Sequence, residues 1–88
     1  MHISFGVRVV DADGNGVESA EVAVHYPYGV DSNYTDGDGW VRFGKWNAFG
    51  DAVRTTIYVN GVIRESGIWI EDENTFSFAL ERDESPSP

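Results

Sequence analysis

Cysteine is absent from this chain of 88 residues, which excludes disulfide bonds, thiolate metal sites and thiol nucleophiles together. Basic residues are scarce, since six Lys and Arg stand against fifteen Asp and Glu, for a net charge of −9. Because so acidic a surface repels phosphate backbones, we expect no nucleic-acid partner. No apolar run approaches the roughly 20 residues that span a bilayer, so no membrane span is expected either.

The length and composition bound the domain organisation. Eighty-eight residues support one hydrophobic core, and 41% apolar and 14% aromatic residues are enough to fill it. We predict a single domain over residues 1–80, followed by an acidic, Ser/Pro-rich tail or linker over residues 81–88. The first residues alternate like a strand and do not form a signal peptide. The cellular location of the protein is therefore left open by the sequence. It is extracellular or at the cell surface if the domain is excised from a longer protein, and cytoplasmic if Met1 is the natural start.

Apolar and polar residues alternate along most of the chain with the period of a β-strand. Strands are predicted within residues 3–9, 21–26, 30–35 (weakly), 40–44, 53–59, 62–70 and 75–80. A bulge is predicted near Ser66-Gly67, and residues 46–52 form either a long loop or one helical turn. Asp-Gly and Asn-Gly turn signals separate the strands. We therefore predict an all-β, seven-stranded Greek-key β-sandwich, prealbumin-like or immunoglobulin-like.

Two turn regions carry a family resemblance. The segment from Val9 to Val24 and the segment from Thr35 to Phe43 resemble the two signatures of carboxypeptidase regulatory-domain-like modules, which have a transthyretin-like (prealbumin-like) sandwich. The resemblance covers about residues 3–80, with Ser19 where that family usually has Gly. It implies a module fused to a larger secreted or surface protein.

The acidic turns are a candidate cation site. Asp11, Asp13 and Asn15 have the spacing of the first oxygen ligands of a calcium loop. The later bidentate Glu is missing, which excludes an EF-hand, and a plain Asx-rich turn explains the same residues. If the strands run alternately up and down, Asp36 and Asp38 lie on the same rim, where a weak calcium site is a hypothesis.

The three tryptophans are a second candidate site. Trp40 and Trp69 are each out of phase with the aliphatic residues of their own strands, so both could point outward. With Trp46 they could provide a stacking surface for a sugar, a partner sheet or a second copy. Filling the core is the alternative.

These residues favour a non-catalytic accessory module that engages a protein partner or fused domains. The alternative is a carbohydrate-binding module that uses the tryptophans and is stabilised by calcium. Neither a Ser-His-acid arrangement nor histidine ligand spacing occurs, so we expect no enzyme, no catalytic residue and no cofactor beyond calcium. A monomer and a dimer are both compatible with the sequence.

Overall fold

A computed structural model describes residues 2–46 and 50–80, except for the side chain of Lys45. Its strands are β1 (His2–Val10), β2 (Glu21–Tyr26), β3 (Gly29–Tyr34), β4 (Trp40–Trp46), β5 (Ala52–Val59), β6 (Val62–Glu71) and β7 (Thr75–Ala79). Trp46 and Ala52 thus belong to strands, and the middle of the predicted loop, residues 47–49, lies outside the described residues, as does the predicted tail. Nowhere in the described part is there a helix long and apolar enough to cross a membrane.

The strands form two sheets, of three and four strands. The order is β4-β1-β7 in the first sheet and β3-β2-β5-β6 in the second. β1 is the centre of the three-stranded sheet, antiparallel to β4 and parallel to β7. The predicted all-β, seven-stranded sandwich is confirmed, and its Greek-key connection stays a prediction.

The core lies between the sheets and comes from one parity of each strand. β1 contributes Ile3, Phe5, Val7 and Val9, all almost fully buried. β2 and β5 contribute mostly valines and an isoleucine from the facing sheet. Because side chains alternate across a strand, the other parity of β1 and β4 must face away from the core.

The register of β5 with β6 shifts twice. Ser66 and Gly67 together stand opposite Thr56, so the bulge predicted there is confirmed. Arg64 is a second extra residue, which the sequence pattern did not predict. Both shifts lie on β6, an edge strand.

Two turns of the same sequence pattern, Asp-x-Asp-Gly-x, follow β1 and β3. They span residues 11–15 and 36–40. In each turn, Oδ1 of the first Asp accepts the N–H groups of the third and fifth residues at 2.9 and 3.0 Å. Each glycine is left-handed, with φ of +87° at Gly14 and +86° at Gly39. The two turns are therefore the same local structure used twice.

The backbones around these turns meet at one end of the sandwich. A Cβ on Gly16 would lie 2.2 Å from the carbonyl oxygen of Asp38, and one on Gly39 would lie 2.3 Å from that of Val9. The Val9 N–H donates to the Gly39 carbonyl at 2.8 Å. The contact leaves no room for a side chain at either glycine.

We expect Gly39→Ala to lower the free energy of unfolding by about 2–4 kcal/mol, because the Cβ meets backbone as well as adopting a left-handed φ. Gly14→Ala is the matched control. It has the same φ but no atom within 4 Å of the added Cβ, so we expect a loss of about 1 kcal/mol. Urea unfolding of both variants measures the difference, and equal losses would contradict the close backbone contact.

Candidate functional site

The outward side of the three-stranded sheet is here called the tryptophan face. It comprises His2, Ser4, Gly6 and Arg8 of β1, Trp40, Arg42, Gly44 and Trp46 of β4, and Thr75, Ser77 and Ala79 of β7. None of these residues is acidic, in a chain with fifteen carboxylates. Its chemistry therefore differs from that of the chain as a whole.

The Trp40 indole lies over the central strand. A Cβ on Gly6 would lie 3.4 and 3.6 Å from Cζ3 and Cε3 of the indole, so the ring covers the Gly6 backbone. The Arg8 guanidinium carbon is 6.0 Å from the ring centroid, at the edge of cation–π range. With 38% of Trp40 exposed, the indole packs on β1 and still leaves part of its surface open to a ligand.

Both arginines of the tryptophan face are held by neutral acceptors. Arg8 Nε donates to the Asp38 carbonyl at 3.2 Å, and Arg42 Nη2 donates to Ser4 Oγ at 3.0 Å. These bonds orient the guanidinium groups without neutralising them, so each retains donors and positive charge for a ligand.

A shallow cleft of about 410 Å³ opens beside Trp40. It is lined by Asp36, Trp40, Val41, Arg42 and Thr75. This volume lies within the range of small-ligand sites. At the far end of β4, Trp46 is 67% exposed and pairs with His2. The two tryptophans are six residue steps apart along β4, a span of about 20 Å, so together they suit an extended ligand.

Trp69 lies on the opposite side of the molecule. It is 65% exposed, pairs with Arg54 in the four-stranded sheet, and borders an apolar cleft of about 190 Å³ with Pro27. The outward orientations predicted for Trp40 and Trp69 are observed. A single surface of all three tryptophans is not formed, because strand order places β4 and β6 in different sheets.

The predicted acidic rim brings its turns together without gathering the carboxylates. Asp11 and Asp36 each use Oδ1 as the acceptor for their own turns. In residues 2–46 and 50–80, no three His, Asp or Glu side chains are close enough to hold a metal ion. Calcium binding by Asp11, Asp13, Asn15, Asp36 and Asp38 stays a prediction.

Arg8, Arg42 and Gly6 were missed as site residues in the sequence. Their parity in β1 and β4 placed them outward, opposite to the valines and phenylalanines of the same strands. What was lacking was the pairing of β1 with β4, which sets Arg8 opposite Trp40 and Gly6 opposite Arg42. That pairing joins residues more than thirty positions apart, and no local pattern reveals it.

A pair of stacked tyrosines lies at the C-terminal end of β2. The rings of Tyr26 and Tyr28 are 5.6 Å apart and almost parallel, at 7°. Burial raises the pKa of Tyr26 well above its ordinary value, and the Asp31 carboxylate and Tyr28 add to the effect. Burial and then Asp31 also raise the pKa of Tyr28. Both shifts favour the protonated phenols, and the two tyrosines belong to β2 and the turn after it, in the sheet that does not carry the tryptophan face.

No protein-family model matches the chain, and no curated protein matches it significantly. In solved structures, the fold is similar to part of the Bacillus anthracis TIE protein, with a TM-score of 0.58 and 16% identical residues over 92% of this chain. The chain spans 16% of the length of that protein. At this identity the likeness concerns the fold alone.

Replacing Asp36 separates a turn role from an ion-binding role. We expect Asp36→Ala to cost about 1–2 kcal/mol of stability, because two backbone N–H groups lose their acceptor. Asp36→Asn keeps an oxygen at that position and should stay close to the wild type. Thermal melts in millimolar calcium and in chelator should give one midpoint; a calcium-dependent rise that Asp36→Asn abolishes would instead establish an ion site.

The buried phenol of Tyr26 predicts a loss of stability in alkali. Its pKa in the folded state exceeds the value of 10.0 expected in the unfolded chain. Stability is therefore intact below pH 10, and above it the unfolded state alone releases the proton, lowering the free energy of unfolding by about 1.4 kcal/mol per pH unit. Urea unfolding between pH 8 and 11 should show this slope reduced in Tyr26→Phe. Tyr34→Phe, at a 60% exposed site, should retain the wild-type slope; equal slopes in all three proteins would contradict the assignment.

Proposed function

We propose that the chain is a non-catalytic accessory module that binds a partner through the tryptophan face. The observation that carries the proposal is the composition of that face: its strand residues include two exposed tryptophans and two arginines and no acidic residue, on a chain of net charge −9, and Asp36 of the preceding turn borders it. Trp and Arg are the residues that most often dominate binding energy at protein interfaces. The two indoles can stack on a partner, and the two guanidinium groups can donate hydrogen bonds to it.

The resemblance to carboxypeptidase regulatory-domain-like modules supports the accessory role. The two segments that carry it contain the paired Asp-x-Asp-Gly turns, whose backbones pack together and fix the end of β1 and the start of β4. A similar fold occupying a small part of the Bacillus anthracis TIE protein also supports a module that works within a longer chain.

A protein partner with exposed acidic groups beside an apolar patch suits the tryptophan face best. Arg8 and Arg42 would pair with its carboxylates bidentately, a geometry that guanidinium groups favour. Trp40 and Trp46 would supply the apolar contact on either side. The two indoles lie about 20 Å apart along β4, a span that suits a protein surface or an extended segment.

Carbohydrate binding is the second candidate, favoured by the cleft beside Trp40. The exposed part of the Trp40 indole can contact a sugar ring, while Arg42, Thr75 and Asp36 line the same cleft with polar groups. The calcium ion predicted at the adjacent turns belongs to this alternative. Trp69 offers a second, more apolar cleft on the other sheet.

Two probes distinguish the candidates: a phage-displayed random peptide library and a panel of soluble polysaccharides. Ligands selected on the wild type should bind the double variant Trp40→Ala, Trp46→Ala at least about tenfold more weakly than they bind the wild type. Trp69→Ala is the matched control, because it removes an equally exposed indole from the other sheet. Circular dichroism first confirms that all variants fold.

Acidic peptides that depend on Trp40 and Trp46 support the protein partner, and polysaccharides that do so support the glycan. Ligands that depend on Trp69 alone, or no ligand in either panel, contradict the proposed surface.

A further inference from the structure

Four strands in the described part of the chain are sheet edges: β3, β4, β6 and β7. An exposed edge presents unpaired backbone N–H and C=O groups that can pair with another strand unless some device blocks them.

Three edges carry a blocking feature. β3 has Asp31 at an inward position opposite Val24, and an inward charge discourages pairing. In β4, the backbone groups of the first residue, Trp40, are hydrogen-bonded to Asp36 of the preceding turn, and Arg42 adds a positive charge. β6 has two register shifts and the charged residue Glu65.

β7 has none of these features. Thr75–Ala79 is uncharged and contains no Pro, Gly or bulge. The Asn74 carbonyl accepts from Gly6, and the Leu80 N–H donates to Val10. Backbone groups of even-numbered residues therefore face β1, so those of Thr75, Ser77 and Ala79 face the open side.

We propose that this edge pairs with β7 of a second copy of the chain, antiparallel about a two-fold axis at Ser77. In that register Ser77 stands opposite its equivalent, Thr75 opposite Ala79, and Phe76 opposite Phe78. The odd-numbered residues form the hydrogen-bonded pairs, as the free backbone groups require. The phenylalanines, now half-buried at the border of the core, gain aromatic cross-strand neighbours on the inner face.

Charge favours a second copy at β7 over other contacts between copies. With a net charge of −9, most surfaces of two copies repel each other, whereas the five paired residues of β7 itself, Thr75–Ala79, are uncharged and bring no like charges together. The pairing is isologous, so it closes at a dimer and joins two three-stranded sheets into one of six strands. Long-range repulsion remains, and added salt should therefore strengthen the dimer.

The test is a charge swap at Ser77, followed by sedimentation equilibrium. The wild type should show a concentration-dependent dimer. Ser77→Glu and Ser77→Lys should each be monomeric, because each places two like charges opposite one another across the axis. An equimolar mixture of the two variants should recover the dimer at least to the wild-type level.

Ser32→Glu is the matched control, because it adds the same charge at an exposed serine of another edge strand, β3. It should dimerise like the wild type. Ser77→Pro removes the central N–H donor on the open side while sparing the bonds to β1, and should also be monomeric; thermal melts verify that it folds. A wild type that stays monomeric up to millimolar concentration, or a dimer that survives in Ser77→Glu, overturns the proposal.

Discussion

The backbone contact between the turns that follow β1 and β3 is the constraint on which the rest of the structure depends. Gly39 must have a positive φ and no side chain to bring its carbonyl to the Val9 N–H, and Gly16 must leave room for the Asp38 carbonyl. The contact fixes where β4 starts and therefore sets Trp40 opposite Arg8. It also supplies the Asp38 carbonyl that orients the Arg8 guanidinium. The candidate binding face is in this sense a consequence of turn geometry.

Features that depend on neighbouring residues could be predicted from the sequence. Alternation gave the strands and the outward phase of Trp40 and Trp69, and backbone preference gave the Asn60-Gly61 turn, where both residues have positive φ. The same preference explains Ser19, whose φ of +62° marks the position where the resembled family usually has Gly. The division of the tryptophans between two sheets could not be predicted, because it follows from pairings between distant strands. The same holds for the extra residue at Arg64 and for Asp72, which accepts the Ser4 N–H at 2.8 Å.

The acidic residues show how one composition has several structural uses. Asp11 and Asp36 satisfy backbone N–H groups in turns, and Asp72 does so for β1, so part of the negative charge organises the chain locally. Asp31 stands inward on an edge strand, where it discourages pairing. An Asx turn and a calcium loop both need oxygen atoms at short intervals, so the sequence spacing alone does not distinguish them. The hydrogen bonds show that Oδ1 of Asp11 and Oδ1 of Asp36 serve the turns, and calcium binding there stays a prediction.

The tryptophan face and the open edge of β7 belong to the same sheet, so pairing through β7 would also determine how two tryptophan faces lie relative to each other. A two-fold axis perpendicular to that sheet keeps both outward sides on one surface of the joined six-stranded sheet. The two copies of β1 are then three strand spacings apart, about 14–15 Å, with Trp40 and Arg8 of each copy facing the same way. A partner that touches one face could therefore reach the other, and the second contact would form at high effective concentration. Dimerisation through β7 would convert two weak, shallow sites into one bivalent surface without any change within either copy.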